Sequence, residues 1–225
     1  MPVLVLDARS TDHTVDYARS AGATVIRRDW TDFVDARRYA LAQVKTPWVF
    51  FLDADEALDD ILCDAIVSAP EGADGYMLRR TTYFGGKPMR MWSDEPLLRL
   101  VRVAKARVEA YPAAGGEAPL HERIVCDGTV GKLNGTLLHY SYPDSASYRA
   151  KFARYTSIEA SGMRASVPGA LSASLLAPLR FAVNLFRRRA IFDGPRGWYI
   201  AWYSALYPAV VRWKALSASS NGTAH

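Results

Sequence analysis

The chain has 225 residues, enough for one domain with a sizeable core or for a domain with an appendage, and because half of them are hydrophobic it is not a disordered polymer. Its two cysteines, Cys63 and Cys126, form no CxxC pair and have no histidine at zinc-finger spacing, which excludes a disulfide framework and a structural zinc site and suits a reducing compartment. The net charge of +5 is unevenly spread: residues 1–145 carry 17 Lys and Arg against 21 Asp and Glu, net −4, whereas residues 146–225 carry 11 against 2, net +9. Such asymmetry points to a polyanionic partner for the second half.

Residues 3–6 read as a short strand ending at Asp7, and Ser10, Thr11 and Asp12 offer capping oxygens for a helix that Gly22 ends. A strand over 23–27, a helix over 34–44 and a strand over 48–52 follow. This β-α-β-α-β alternation predicts a parallel sheet with helices on its faces. The last strand, WVFFL, is a continuous apolar run, expected to be buried on both faces, and it leads straight into Asp53, Ala54, Asp55 and Glu56. Two carboxylates one residue apart at the carboxyl end of a buried strand sit where open α/β sheets bind ligands, and they can offer oxygens to a hard cation such as Mg²⁺. The same residues also read as an acidic loop capping the next helix, and the triplet alone leaves both readings open.

A helix is expected to continue to residue 67 and to stop before Pro70. Residues 75–80 and 97–103 have strand character, with an irregular stretch over 81–96, rich in aromatic and turn residues, that reads as a functional loop. Residues 111–119 read as a Gly/Ala/Pro loop, and 124–138 as a hairpin or a pair of short strands around Gly128 and Gly131. From Ser147 the period becomes helical, with Tyr148, Phe152, Tyr155 and Ile158. Two charge-poor stretches, 165–179 and 197–211, are 15 residues each between arginines, short of the roughly 20 that span a bilayer. Pro178 and Pro208 interrupt them, Arg187, Arg188 and Arg189 lie between them, and the second holds Trp198, Tyr199, Trp202, Tyr203 and Tyr207. Aromatics flanked by arginines suit helices lying in a membrane interface; the other reading is a helical subdomain packed on the core. The arginines lie among apolar residues rather than along a polar face, which argues against nucleic acid. Residues 217–225 are small and polar and read as a disordered tail.

There is no GxGxxG, no GxxxxGK[ST] and no HExxH. What remains are carboxylates at two strand ends, Asp7 and Asp53/Asp55, where a divalent ion bridging to a diphosphate would stabilise a leaving group as a Lewis acid. The run from DARSTDHT through ARRYAL to WVFFLDADEAL, followed in order by LLRLVR, PLHERIV, GTLLHYSY, YRAKFARY and FDGPRGWYIAWYSALY, resembles family 2 glycosyltransferases, in particular the subgroup of lipopolysaccharide core β-glucosyltransferases. His13 replaces a glycine of that pattern and Arg38 an asparagine.

The resemblance implies a GT-A fold: a Rossmann-like, mostly parallel α/β sheet with helices on both faces over residues 1–145. A basic, aromatic, membrane-associating helical extension over 146–216 and the tail 217–225 complete the expected organisation. It implies an inverting, Mg²⁺- or Mn²⁺-assisted transfer of a sugar from a nucleotide diphosphate sugar, UDP-sugar above all, to a lipid-linked or cell-surface glycan. The setting implied is the inner face of the plasma membrane, in cell-envelope biosynthesis. By position, Asp7 and Asp12 would contact the nucleotide, Arg37 the diphosphate, Asp53 the ribose or metal, and Asp55 the metal, with His139 a further metal ligand or a polar strand-end residue. Glu122 is the first candidate for the general base that inversion needs and Asp94 the second; Arg99 reads as an ion-pair partner. The family pattern also has an earlier strand and an N-E-x motif, and this chain starts after them, so the sheet is expected to have a gap or to be re-paired beside residues 48–52. A rival reading is a catalytically impaired member that binds membrane or a partner protein.

Overall fold

A computed structural model describes residues 1–112 and 119–222. The amino-terminal alternation forms as expected: β1 (Leu4–Asp7), α1 (Thr14–Ser20), β2 (Thr24–Arg27), α2 (Phe33–Gln43) and β3 (Trp48–Phe50). Helix α2 begins where Asp32 accepts a hydrogen bond from the Asp35 amide at 2.7 Å, the usual solution for an orphan first-turn donor. Helix α1 has His13 at its cap position, with no side-chain bond from it, and Asp12 instead accepts from the Thr14 amide at 3.0 Å.

The sheet is mixed, not mostly parallel. Strands β1 and β2 pair in parallel as a two-stranded sheet of their own. β3 pairs with β7 (Glu95–Arg102), and no ladder joins it to β1 among the described residues. The main sheet takes its other strands from farther along: β4 (Glu56–Leu58), β5 (Gly75–Phe84), β6 (Lys87–Pro88) and β10 (Val130–Tyr142). Its order is β3-β7-β5-β10-β4, with β6 hung on β5, and only β5 and β10 run parallel. β3 is therefore an edge strand of intermediate burial rather than one buried on both faces, and Leu52 beyond it is 47% exposed.

Strands β3 and β4 lie at opposite edges, yet only residues 51–55 link them. Five strands side by side span about 19 Å at 4.8 Å spacing, close to the reach of a fully extended link of that length. The link is not extended, because the Glu56 amide turns back onto the Asp53 carbonyl at 3.0 Å. The sheet must curl until its edges approach, and Asp53, Ala54 and Asp55 close the space between them.

Helix α3 (Asp60–Val67), capped by Asp59, packs Leu62 and Ile66 against Leu133 and Leu137 of β10 and against Tyr76, Leu78 and Leu100. Leu62 and Leu137 are fully buried, each contributing about 1.5–3 kcal/mol of hydrophobic stabilisation. Gly135 lets the helix approach, for its φ is +93° and a Cβ there would stand 2.3 Å from the Leu62 amide nitrogen.

Two further expectations are corrected. The stretch 81–96 is no open loop: β5 runs on to Phe84, Gly85 and Gly86 turn at φ +56° and +71°, and a 3-10 turn at Arg90–Trp92 buries Met89 and Met91 in the core. Of the two readings of residues 124–138, the pair of strands forms and the hairpin does not, because β9 (Pro119–Cys126) pairs with β8 (Ala106–Pro112) whereas β10 joins the main sheet. Of the loop expected over 111–119, residues 113–118 lie outside the described residues.

The carboxy-terminal helices are α4 (Ser145–Ser161), α5 (Val167–Leu175), α6 (Ala177–Phe186) and α7 (Gly194–Gly222). Pro178 stands in the first turn of α6, where its missing N–H costs nothing, but Pro208 lies inside α7 without ending it. Helix α7 also takes in residues 217–222 of the expected disordered tail; residues 223–225 lie outside the described residues. These helices share a core with the sheet: Phe84, Met89 and Met91 cluster with Tyr148, Leu185, Ala190, Ile200 and Ala201.

Candidate functional site

The closing link carries the chemistry. Asp53 follows β3 and accepts hydrogen bonds from two guanidinium groups, Arg37 Nη2 of α2 and Arg99 Nη2 of β7, the latter at 2.9 Å. Burial alone would raise its pKa, but the charges of Arg99 and Arg37 outweigh that and hold it below the usual carboxylate range. Arg37 also donates through Nε to Glu122 Oε1 at 2.6 Å, so α2 joins a strand-end carboxylate to one on β9. Glu56, the fourth residue of the acidic run, has a wholly buried side chain. It accepts from Arg99 at 2.7 Å and from the Asp53 amide at 2.9 Å. Arg80 lies 3.8 Å from the Glu56 carboxylate and also binds Glu95.

Asp55 faces a different group. In the sheet His139 sits between Glu56 of β4 and Thr82 of β5, and its Nε2 meets Asp55 Oδ2 at 3.2 Å while Nδ1 meets the Thr82 hydroxyl at 3.1 Å. A carboxylate only accepts, so in this arrangement Nε2 carries the proton and Nδ1 accepts from Thr82. The hydrogen bond from His139, with help from the charge of Lys151, lowers the Asp55 pKa. Lys151 reaches over from α4 to 3.9 Å from Asp55 and donates to the Ser141 carbonyl at 2.9 Å.

Asp55 and His139 could together hold a divalent cation. Their side chains are 40% and 16% exposed, and they offer oxygen and imidazole nitrogen from adjacent positions. Asp53, the third residue expected with them, has its two carboxylate oxygens hydrogen-bonded to Arg37 and Arg99. Among the described residues no group of three or more His, Cys, Asp or Glu is placed to hold a metal. The pair would suit a cation that keeps most of its positions for water and other oxygen ligands, the habit of Mg²⁺, and Thr82 stands where an outer-shell bond would orient a ligating histidine.

Of the other expected residues, Asp7 ends β1 with its side chain 1% exposed, accepting from the Ser10 amide and from Arg27 Nε at 3.2 Å each. Those hydrogen bonds, Ser10 first, lower its pKa. Asp12 is exposed and tied to Thr14. No hydrogen bond or ion pair among the described residues links Asp7 or Asp12 to the Asp53 cluster. Asp94 stands in the left-handed region at φ +61° with its side chain 68% exposed, 3.7 Å from Arg79. Sequence reasoning missed Glu56, Thr82 and Lys151. Glu56 had a visible signal in the acidic run, whereas Thr82 and Lys151 act only through strand pairing and a helix folded back from 96 residues beyond Asp55.

The glycosyl transferase family 2 model matches residues 2–124. An uncharacterized glycosyltransferase of Rickettsia typhi is 30% identical over 151 residues, 62% of this chain and 51% of that protein. The lipopolysaccharide core biosynthesis glycosyltransferase LpsC of Rhizobium meliloti is 30% identical over 150 residues, 61% of this chain and 53% of that one. The chain thus spans about half the length of the curated relatives it matches. Among solved structures, S. aureus TarS 1–349 aligns with 99% of this chain and 82% of its own at 14% identity and a TM-score of 0.42.

Proposed function

The chain belongs to glycosyl transferase family 2, and from that premise we propose that it transfers a sugar, with inversion, from a nucleotide diphosphate sugar to a hydroxyl of a lipid-linked, lipopolysaccharide-type glycan acceptor at the inner membrane face. The observation that carries this reading is the side-by-side placement of the Asp55–His139 pair and the Asp53–Arg37–Glu122 chain at the closing edges of the sheet.

Asp55 and His139 would hold Mg²⁺ or Mn²⁺, which when bound supplies Lewis-acid stabilisation of charge on the departing diphosphate. Lys151 adds a positive charge on the same side. Asp7 and Asp12 are assigned to the nucleoside end of the donor, which is taken as a UDP-sugar. Arg37 holds Glu122 by one oxygen, and the other, Oε2, makes no hydrogen bond among the described residues. Glu122 Oε2 is therefore the assigned base: it takes the acceptor hydroxyl proton as the new oxygen–carbon bond forms at the anomeric carbon and the bond to diphosphate breaks, the electron pair leaving with the phosphate. Asp94, exposed and paired with Arg79 rather than with this cluster, is the weaker assignment.

Turnover of UDP-sugars with added Mn²⁺ or Mg²⁺ tests the reading. Asp55→Ala should abolish metal-dependent turnover while circular dichroism stays unchanged, and full turnover in that variant would refute the metal assignment. Calorimetry with UDP and Mn²⁺ separates the rival reading, because a non-catalytic binding partner should give no metal-dependent heat.

A further inference from the structure

Helices α5 and α6 are built inside out. The inward positions of α5 and of the first turn of α6 are small, with Ala170, Ala173 and Ala177 at most 4% exposed, and only later in α6 do Asn184 and Leu185 turn inward, whereas Leu171, Leu175, Leu179 and Phe186 are 50%, 80%, 61% and 67% exposed. With Val167 and Val183 these outward residues recur every three or four positions, so one apolar stripe runs the length of both helices. A helix on a water-soluble core turns such a stripe inward and keeps its small or polar face out; in α5 and at the start of α6 the small-residue face does the packing, as in helices surrounded by lipid.

The stripe has a basic end and an aromatic flank. Arg187, Arg188 and Arg189 are exposed directly after Phe186, and Phe181 packs its ring against Trp198 and Trp202 of α7, both about half exposed. No single described helix is long and apolar enough to cross a membrane, but α5 and α6, bent 41° from one another, pass by length and composition as a pair. We propose that this face docks on an anionic phospholipid surface, with α5 and α6 sunk into one leaflet, the three arginines at the phosphates, and Trp198 and Trp202 at the interface. The net charge of +9 over residues 146–225 selects the occupant, for it draws the face to anionic lipid and repels a second copy of the same face. The inference deepens the proposed function and rests on its lipid-linked acceptor for its purpose, because such an acceptor is met at this surface.

Flotation of the full chain with phosphatidylcholine vesicles, with and without phosphatidylglycerol, tests it alongside donor turnover. The protein should float with the anionic vesicles. Leu175→Glu and Leu179→Glu should each weaken that binding about tenfold or more, and replacing Arg187, Arg188 and Arg189 by Gln about a hundredfold on anionic vesicles, with helix content and vesicle-free hydrolysis of the donor kept. Trp198 and Trp202 fluorescence should be quenched by brominated acyl chains. Failure to float, or flotation indifferent to the leucine variants, overturns the docking face. So does a concentration-dependent dimer that Leu175→Glu dissolves in a protein that does not float. Flotation without any turnover of donor would sink the transferase reading and leave the docking face standing.

Discussion

Arg37 and Glu122 are 85 residues apart in sequence and meet at 2.6 Å, guanidinium Nε on carboxylate Oε1, with side chains only 13% and 15% exposed. The same guanidinium binds Asp53, so one residue of α2 fixes both a carboxylate of the closing link and the assigned base. Removing it leaves two carboxylates without their common cation.

Arg37→Ala should therefore cost about 3 kcal/mol of stability, the low end for breaking a largely buried pair, and lower kcat by about a hundredfold or more through misplacement of Glu122. Arg37→Lys should recover little activity, since a point charge cannot serve two carboxylates in a fixed fork. Chemical denaturation and steady-state kinetics check both; an Arg37→Lys variant with wild-type kcat would refute the bridging role.

Local elements were legible in the sequence and their partners were not. The strand at Asp7, the helix expected over 34–44 and the acidic run after β3 follow from patterns a few residues long. That β3 pairs with β7 and that β10 inserts between β5 and β4 depends on contacts 50 or more residues apart, which periodicity does not encode. The same holds for the site. Asp55 and His139 were separately visible as candidates, but the turning of Asp53 into Arg37 and Arg99 required the curl of the sheet. Of α5 and α6 the sequence showed a charge-poor stretch over 165–179, and only the fold shows the outward stripe and which side the alanines take.

A buried carboxylate adds to the shared core in fastening the helical region to the sheet side. Asp193 is 8% exposed and accepts from the Arg90 and Met91 amides at 2.8 and 3.1 Å. Asp193→Ala orphans both donors and should cost about 2–4 kcal/mol. Calorimetric unfolding should remain a single transition in the wild type, because the shared core couples helices and sheet, and broaden or split in the variant.

Acid stability should carry the signature of Asp7. Its pKa is lowered in the folded state from the ordinary 3.8 by Ser10 and Arg27, so the folded protein holds that proton less tightly than the unfolded chain. Its contribution is complete above the unfolded value and is lost as pH falls from about 4 through the lower folded value. The gap in melting temperature between wild type and Asp7→Asn should be constant between pH 5 and 7 and shrink below pH 4. A gap that widens on acidification would contradict the sign.

Thr82 offers the sharpest separation of metal binding from chemistry. Its hydroxyl, in a residue 5% exposed, is the neighbour of His139 Nδ1 at 3.1 Å. For Nε2 to bind a cation, the ring proton must move to Nδ1, where Thr82 Oγ1 accepts it. Thr82→Val keeps the shape and removes that acceptor, leaving the ring free to swing and the wrong tautomer unopposed. Loss of such an outer-shell bond weakens metal affinity by about 10–100-fold, so the Mn²⁺ concentration for half-maximal turnover should rise by that factor while kcat at saturating Mn²⁺ stays within about twofold. Thr82→Ser, which restores the hydroxyl, should return the requirement to that of the wild type. If His139 is only a polar strand-end residue, Thr82→Val and Thr82→Ser will show the same Mn²⁺ requirement as the wild type.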